Sequence, residues 1–574
     1  MANVLGVNAV FHDPAAAVVV DGRVVAAAEE ERFSRRKHGK PAVPFSTWEL
    51  PEAAARWCLE RAGLRPEDLD AVAYSYEPTL VPAPDGDLTV DDWEPLRTLY
   101  ALRAPSFLRS ALPGLDPARV RFVPHHVAHA ASAYLAAPWP DSSVLVLDGR
   151  GEVASHLAGR ATDGDLSVLH AQNLPHSLGL MYEEATEHLG FRRSSDEYKV
   201  MAMASYGTPA HLREFRDLIR ATGDGGFEVA PIDWGSFVKR RSGREEWTAD
   251  HADLAATVQI RLEEVLLELA AWLHDQTGGR DLTMAGGVAL NCVANSRLAE
   301  ESPFERIWVQ PAAGDSGTAL GAALYEAHRL GDRIIGMDTA ALGRDWSDDE
   351  LEAWLGEAAV PYERPTDLAA TVAEVIAANG VVAWFQGRSE YGPRALGHRS
   401  LLANAGEEAN LQRLNCIKGR EQFRPVAPMV VAERASEIFD GPDPSPYMLF
   451  THRVRPAWQD RIPAVVHVDG SARVQTVDSG SEPLLHRLLR EVERRTAVPV
   501  LVNTSLNTAG RPMVDDPRDA LEVFGSAPVD VLALGPFLVR RAALFAGPAA
   551  GGGAACDSPP ACDSPDDPAE ADGS

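Results

Sequence analysis

The sequence predicts an α/β protein with an internally duplicated N-terminal domain, a second α/β domain and a disordered C-terminal tail. Three observations carry that expectation. A strand, a polar turn and a hairpin open the chain, and the same pattern recurs from residue 143. Strand–glycine–helix units then complete the first domain. Beyond residue 547 the composition turns to Gly, Ala, Asp, Ser and Pro, too little apolar surface to offset the entropy of ordering.

In order along the chain, residues 4–10 read as an apolar strand, and 16–20 and 23–28 flank Asp21-Gly22, a favoured two-residue hairpin turn. Helical sequence occupies 52–62 and 125–137. A short buried strand at 143–148 ends in Asp148-Gly149-Arg150-Gly151-Glu152, and strand-like pieces continue to about residue 173. From 254 to 274, Leu254, Val258, Leu262, Val265, Leu266, Leu269 and Leu273 recur at helical spacing up to Gly278-Gly279. Two strand–glycine–helix units follow, 281–285 into Gly286-Gly287 and 306–310 into Gly314-Asp315-Ser316-Gly317. A polar, Asp-rich joint at 343–352 divides the chain into domains at 1–345 and 346–546, with the tail at 547–574. The second domain starts with a helix at 368–379, a buried strand at 381–385 and a Gly- and Arg-rich loop. Its late strand, 498–503, leads into Asn503-Thr504-Ser505-Leu506-Asn507.

Composition narrows the function. The 83 acidic and 54 basic residues give a net charge of −29, which disfavours nucleic acid or an anionic membrane as partner. A small molecule is expected instead. Five cysteines without paired spacing suit a reducing cytosol, and the first residues lack a signal peptide's basic and apolar regions. A cytoplasmic protein is expected. Lysine occurs only five times, so each one stands out.

Four constellations carry chemistry. In His125-His126-Val127-Ala128-His129, the first and last imidazoles lie one turn apart on one helix face, a spacing that grips a metal ion. An isolated pair of this kind is equally compatible with core histidines. Asp148 and Asp315, at strand ends, add carboxylates, and mixed His/Asp ligation suits Fe²⁺, Mn²⁺ or another divalent ion. Turns at Gly149, Gly151, Gly286, Gly287 and Gly314 let backbone N–H groups close on phosphate, with Asn291 placed one turn into its helix to meet an adenosine. In the second domain, Arg388, Arg394 and Arg399 lie in a Gly-rich loop, and Lys418, Arg420 and Arg424 follow; so many cations in an acidic protein point to an anion pocket. His12, beside Asp13 between the first two strands, is a candidate general base.

The paired glycine turns resemble the sugar-kinase, heat-shock and actin ATPase superfamily. More specifically, FHDPAAAVVVDGRVVAAAEEERFSRRKHG, PHHVAHAASAY, DGRGE, EYKVMAMASYG, MAGGVALNCVAN and GDSGTALGAA resemble the bacterial O-carbamoyltransferases, over about residues 3–545. That family includes nodulation-factor, cephalosporin, novobiocin and tobramycin carbamoyltransferases. The resemblance implies an actin-like, threonylcarbamoyltransferase-like first domain and a YrdC-like second domain in which Lys-x-Arg, Asn503 and Ser505 hold ATP and carbamoyl phosphate. It further implies Fe²⁺ on His125, His129, Asp148 and Asp315, Mg²⁺ with ATP, His12 as the base, and Lys37 and Lys199 near donor or acceptor. The expected reaction forms carbamoyl-adenylate and carbamoylates a hydroxyl of a small metabolite, such as a natural product. A homodimer is a further expectation. In this family the chain commonly returns after the second domain to complete the first, whereas 547–574 is of low complexity here.

Three rivals fit less well. An enzyme making threonylcarbamoyl-adenosine in tRNA would use the same domain types, but the acidic charge opposes it. A metal-dependent peptidase would need the glutamate of HExxH. A non-catalytic nucleotide sensor leaves the cation-rich second domain unexplained.

Overall fold

The computed structural model describes residues 2–39, 49–82, 93–243 and 245–545. The expected tail at 547–574, with Cys556 and Cys562, lies outside the described residues, as do 83–92 and 244.

The duplication expected from the two hairpins is present. One five-stranded sheet runs Arg23–Glu29, Ala15–Val20, Asn3–Asn8, Ala71–Tyr74 and Val120–Phe122. The other runs Asp165–Asn173, Ala154–Thr162, Asp141–Leu147, Asp281–Ala285 and Arg306–Val309. In both, the first three strands are antiparallel and the last two join in parallel. Both hairpins turn on Asp-Gly with positive φ at each residue: 52° and 74° at Asp21-Gly22, 52° and 91° at Asp163-Gly164. That is the turn whose twist matches paired strands. The first strand stops at Asn8 rather than residue 10, because Phe11 and Asp13 take positive φ (59° and 52°) and bend the chain across the sheet end.

Each half ends in a helix, and each helix packs on the other half's sheet. His125–Tyr134 lies against Asp141–Leu147 and Asp281–Ala285, while Ser316–Arg329 lies against Asn3–Asn8 and Ala15–Val20. Small residues permit this exchange. A Cβ on Gly6 would fall 1.8 Å from the Ala319 carbonyl oxygen, and one on Gly321 would fall 1.8 Å from that of Ala128. Gly6→Ala is therefore expected to cost about 3 kcal/mol or more, read as a lower midpoint of urea unfolding; an unchanged midpoint would refute the backbone contact.

The second domain is built on a seven-stranded sheet ordered Gln475–Val477, Ala427–Val431, Val500–Ser505, Arg399–Asn404, Val382–Phe385, Val531–Leu534 and Phe537–Arg540. Alternate residues of its strands serve two cores, as a period of two requires. Val382 and Trp384 pack with helices Leu368–Ala377 and Pro483–Thr496, while Ala383 and Phe385 pack with Asp348–Glu357 and Pro517–Ser526. A three-stranded sheet, Phe439–Asp440, Thr451–Val454 and Ser471–Arg473, leans on the first domain, where Asn295 and Ser296 donate to the carbonyls of Leu449 and Thr451 at 3.0 and 2.9 Å. No helix among the described residues is long and apolar enough to cross a membrane.

Candidate active site

The exchanged helices bring four ligand-type side chains together. His125 and His129 project from His125–Tyr134, Asp315 is the N-cap residue of Ser316–Arg329, and Asp148 follows strand Asp141–Leu147. All four are buried, and their donor atoms lie within 4.8 Å of one another. Asp315 Oδ1 is 3.6 Å from His125 Nε2 and 3.5 Å from His129 Nε2; the Asp148 oxygens are 3.9 Å from each. These spacings are too long for direct hydrogen bonds and leave room between the atoms. Both Asp315 oxygens and both Nε2 atoms are buried with no hydrogen-bond partner among the described residues. Buried polar groups left this way cost free energy unless something binds them. His125 Nδ1 donates to the Ser75 carbonyl at 3.1 Å, which fixes the tautomer that leaves Nε2 as a ligand. The donor set fits a divalent cation. Burial opposes protonation of His125, but Asp315 outweighs it and lifts the pKa to about 9. Burial likewise opposes ionisation of Asp315, yet His12, His125 and His129 hold its carboxyl well below the usual range. His126, between the two, is buried and pushed down to about 3 by burial and His125.

His12 faces this cluster. Its Nε2 is 3.8 Å from Asp315 Oδ2, and its Nδ1 is 2.9 Å from Asp13 Oδ2. Asp13 also accepts from His38 Nδ1 at 2.8 Å, and Asn8 Nδ2 donates to the carbonyls of His12 and Asp13, both at 3.0 Å. Burial disfavours the charged imidazole of His12, but Asp315 and the Asp13 hydrogen bond outweigh it and raise the pKa well above its ordinary value. The contact between Asp13 and His38 was not anticipated; they are 25 residues apart and meet only in the fold.

The glycine turns surround the same cleft. Asp148 Oδ1 accepts the Gly287 N–H at 2.7 Å. Gly286 takes φ 93°, where a Cβ would fall 2.1 Å from the Leu147 carbonyl oxygen. Gly149 lies against Glu183, Gly151 against His126, and Gly314 against Leu290. Asn291 differs from expectation. It is the N-cap of helix Cys292–Glu301, its Oδ1 accepts the Ala294 N–H, and its amide pairs with Gln259, so its polar atoms already have protein partners.

A second site lies in the other domain. Lys418, 5% exposed, is ringed by oxygens: Ser505 Oγ at 3.0 Å, Asn507 Oδ1 at 2.6 Å, the Asn507 carbonyl at 3.2 Å and the Ser505 carbonyl. Arg420 and Arg424 lie near it, and Arg394 and Arg473 extend the group beside Arg424. Among the described residues no carboxylate within 4 Å pairs with Arg394, Lys418, Arg420 or Arg473. The crowding shows in their acidities. Burial lowers all four, helped by Arg473 at Arg394, by Arg420 and Arg424 at Lys418, and by Arg424 at Arg420 and Arg473. Cations desolvated together without a counter-ion form a chamber for an anion. Asn503 holds its wall, donating to the Ala395 carbonyl at 3.0 Å and Gln475 Oε1 at 2.8 Å. Lys37, half-buried, adds to the charge that lowers Lys418, while its neighbour His38 serves the first site.

Two of the expected arginines do not join this chamber. Arg388 donates to the carbonyls of Gly343 and Val25, at 3.1 and 3.0 Å, and of Leu342, tying the domains together. Arg399 is fully buried, lies 3.6 Å over the Phe385 ring, and donates to the carbonyls of Gln386, Gly387, His398 and Arg344. Both guanidiniums hold backbone. Arg473 is the converse: it ends a short strand, Ser471–Arg473, in a segment with no glycine-rich signal, and was missed.

Comparison with known proteins agrees with this architecture. The family described as carbamoyltransferase N-terminus matches residues 3–82 and 109–324, and that described as carbamoyltransferase C-terminus matches 373–541. Nodulation protein NolNO of Sinorhizobium fredii is 37% identical, covering 93% of this chain and 80% of its own. The uncharacterised protein sll1178 of Synechocystis is 36% identical over 95% of this chain and 97% of its own. Nodulation protein NolO of Bradyrhizobium diazoefficiens is 38% identical over 73% and 78%. Among solved structures, HypF of T. kodakarensis aligns at a TM-score of 0.33 and 14% identity, covering 58% of this chain and 49% of that one, which is too distant to carry an argument. With family matches over both domains and relatives along nearly the whole length, the chain belongs to the carbamoyltransferase family and is an enzyme of carbamoyl transfer.

Proposed function

We propose that the protein is an ATP-dependent O-carbamoyltransferase that activates the carbamoyl group in the second domain, of YrdC-like type, and delivers it in the first, of actin-like type. The observation that carries this reading is the neighbourhood of two unlike sites, a chamber of buried cations with one carboxylate, Glu421, at its edge and a buried His/Asp cluster. Two segments serve both: Lys37 and His38 are consecutive, and so are Glu197, whose charge reaches His12, and Tyr198, over which Arg424 stacks at 4.5 Å.

In this reading water takes the phosphoryl group of carbamoyl phosphate, releasing phosphate and carbamate; the carbamate oxygen then bonds to the α-phosphorus of ATP, accompanied by Mg²⁺, and the bond to pyrophosphate breaks. Arg394, Lys418, Arg420, Arg424 and Arg473 hold the phosphates, with Ser505 and Asn507 orienting the Lys418 ammonium. The mixed anhydride then meets the glycine turns of the first domain without crossing bulk water. A divalent ion on His125, His129, Asp148 and Asp315, for which Fe²⁺ suits the ligand set, would grip phosphate oxygens as a Lewis acid and offset the Asp315 charge that raises His12. Asp13 pins His12 Nδ1, so Nε2 is the atom that takes the proton of the acceptor hydroxyl; the acceptor oxygen bonds to the carbamoyl carbon as the bond from that carbon to the AMP phosphate oxygen breaks, and AMP departs. The acceptor is a small metabolite with a free hydroxyl, and with ATP as co-substrate the setting is cytoplasmic.

His12→Ala is expected to keep carbamoyl-phosphate-dependent ATP–pyrophosphate exchange while transfer to the acceptor falls by about 10²–10⁴-fold. Full turnover by that variant would remove His12 from the role of base.

A further inference from the structure

Lys199 does not point a free ammonium into either site. Its Nζ lies 3.1 Å from Asp196 Oδ2 and 2.8 Å from Glu421 Oε1, and the side chain is 15% exposed. Glu421 belongs to the second domain, and its other oxygen, Oε2, is 3.5 Å from Arg424 Nη1. Arg424 is held from the first domain as well, with its guanidinium carbon 4.5 Å from the ring centroid of Tyr198. The Tyr198 hydroxyl donates in turn to Asp196 Oδ1 at 3.2 Å. Glu421 is thus the one carboxylate, among the described residues, paired with a cation of the chamber. Carboxylate–arginine pairs are frequently short and bidentate, which offsets the arginine's charge. Here the pair is single and long, because the shorter contact goes to Lys199.

We infer that Lys199 is a positioning residue for the second-domain chamber: it draws Glu421 away from Arg424, so that Arg424 keeps its positive charge for an incoming phosphate. The first domain thereby completes the anion site of the second. The inference rests on the reading of that chamber as an anion site. It assigns Lys199 no contact with donor or acceptor. In its absence, Glu421 swings onto Arg424 and competes with the ligand.

The test is calorimetric titration of the full-length protein with inorganic pyrophosphate. Lys199→Met is expected to bind about 5- to 10-fold more weakly than wild type, the size of coupling usual between neighbouring charges. Glu421→Gln is expected to bind at least as tightly as wild type, and the double variant to return to the Glu421→Gln value. Lys199→Arg, which keeps a cation able to hold both carboxylates, is run beside Lys199→Met as a guard against misfolding and is expected to bind close to wild type; a loss as large as that of Lys199→Met counts against the positioning role. A double variant as weak as Lys199→Met is what a direct ligand would give, and it overturns the inference. So does a Lys199→Met protein that binds like wild type. Wild type that binds no pyrophosphate overturns the anion-site reading, and this inference with it.

Discussion

Asp315→Asn is expected to lose divalent-ion binding by at least about 100-fold and to lose carbamoyl transfer with it. Loss of an outer-shell partner alone typically costs 10–100-fold in metal affinity, and Asp315 stands inside that shell. Its two oxygens face His12, His125 and His129, and neither has a hydrogen-bond partner among the described residues. Asparagine keeps the shape at a site 1% exposed, so packing survives while the charge is gone. Metal content after dialysis, measured by atomic emission, reads the first effect, and acceptor carbamoylation reads the second. Pyrophosphate exchange in the other domain is expected to persist. A variant that retains stoichiometric metal would remove Asp315 from the ligand set.

Lys418→Ala is the second large effect. It is expected to lower carbamoyl-phosphate-dependent exchange by about 10²–10³-fold, the usual loss when one fixed charge-stabilising donor is removed from a desolvated site. The ammonium has Ser505 Oγ at 3.0 Å and Asn507 Oδ1 at 2.6 Å, which fix it beside Arg420 and Arg424. The same variant is expected to transfer the carbamoyl group from supplied carbamoyl-adenylate, since nothing in the His/Asp cluster depends on it. Failure in both half-reactions would count against two separate sites, and full exchange would place the phosphates elsewhere.

The first site was legible because its residues lie where periodicity and turn chemistry can be read. His125 and His129 are one helical turn apart, and Asp148 and Asp315 follow strands beside glycines. Asp21-Gly22 announced the first hairpin, whereas Asp163-Gly164, the matching turn of the second half, was read only as part of strand-like sequence. Direction was not legible. Three arginines in one glycine-rich loop looked like a single anion-binding fork, but only Arg394 enters the chamber, while Arg388 and Arg399 hold carbonyls. Composition reports charge and says nothing about where a guanidinium points. Pairings across distance were equally silent: Asp13 with His38, Lys199 with Glu421, and Arg473 with Arg394 become neighbours only once the sheets are stacked. Asn291 was misplaced by one turn because its helix begins only at Cys292. Helix Trp93–Ala111 escaped because Leu96, Leu99 and Leu102 are exposed while Ala101 and Ala104 are buried, which blurs the apolar stripe.

The exchange of terminal helices has a consequence for how this chain comes into being at the ribosome. The strands ending at Val120–Phe122 emerge early, but one face of that sheet stays bare until Ser316–Arg329 has been synthesised and threaded beside Gly6. Neither duplicate is a self-sufficient unit, so the nascent first half must wait, uncovered, for its sibling. The ligand cluster, drawn from both halves, comes together only at that final interlocking.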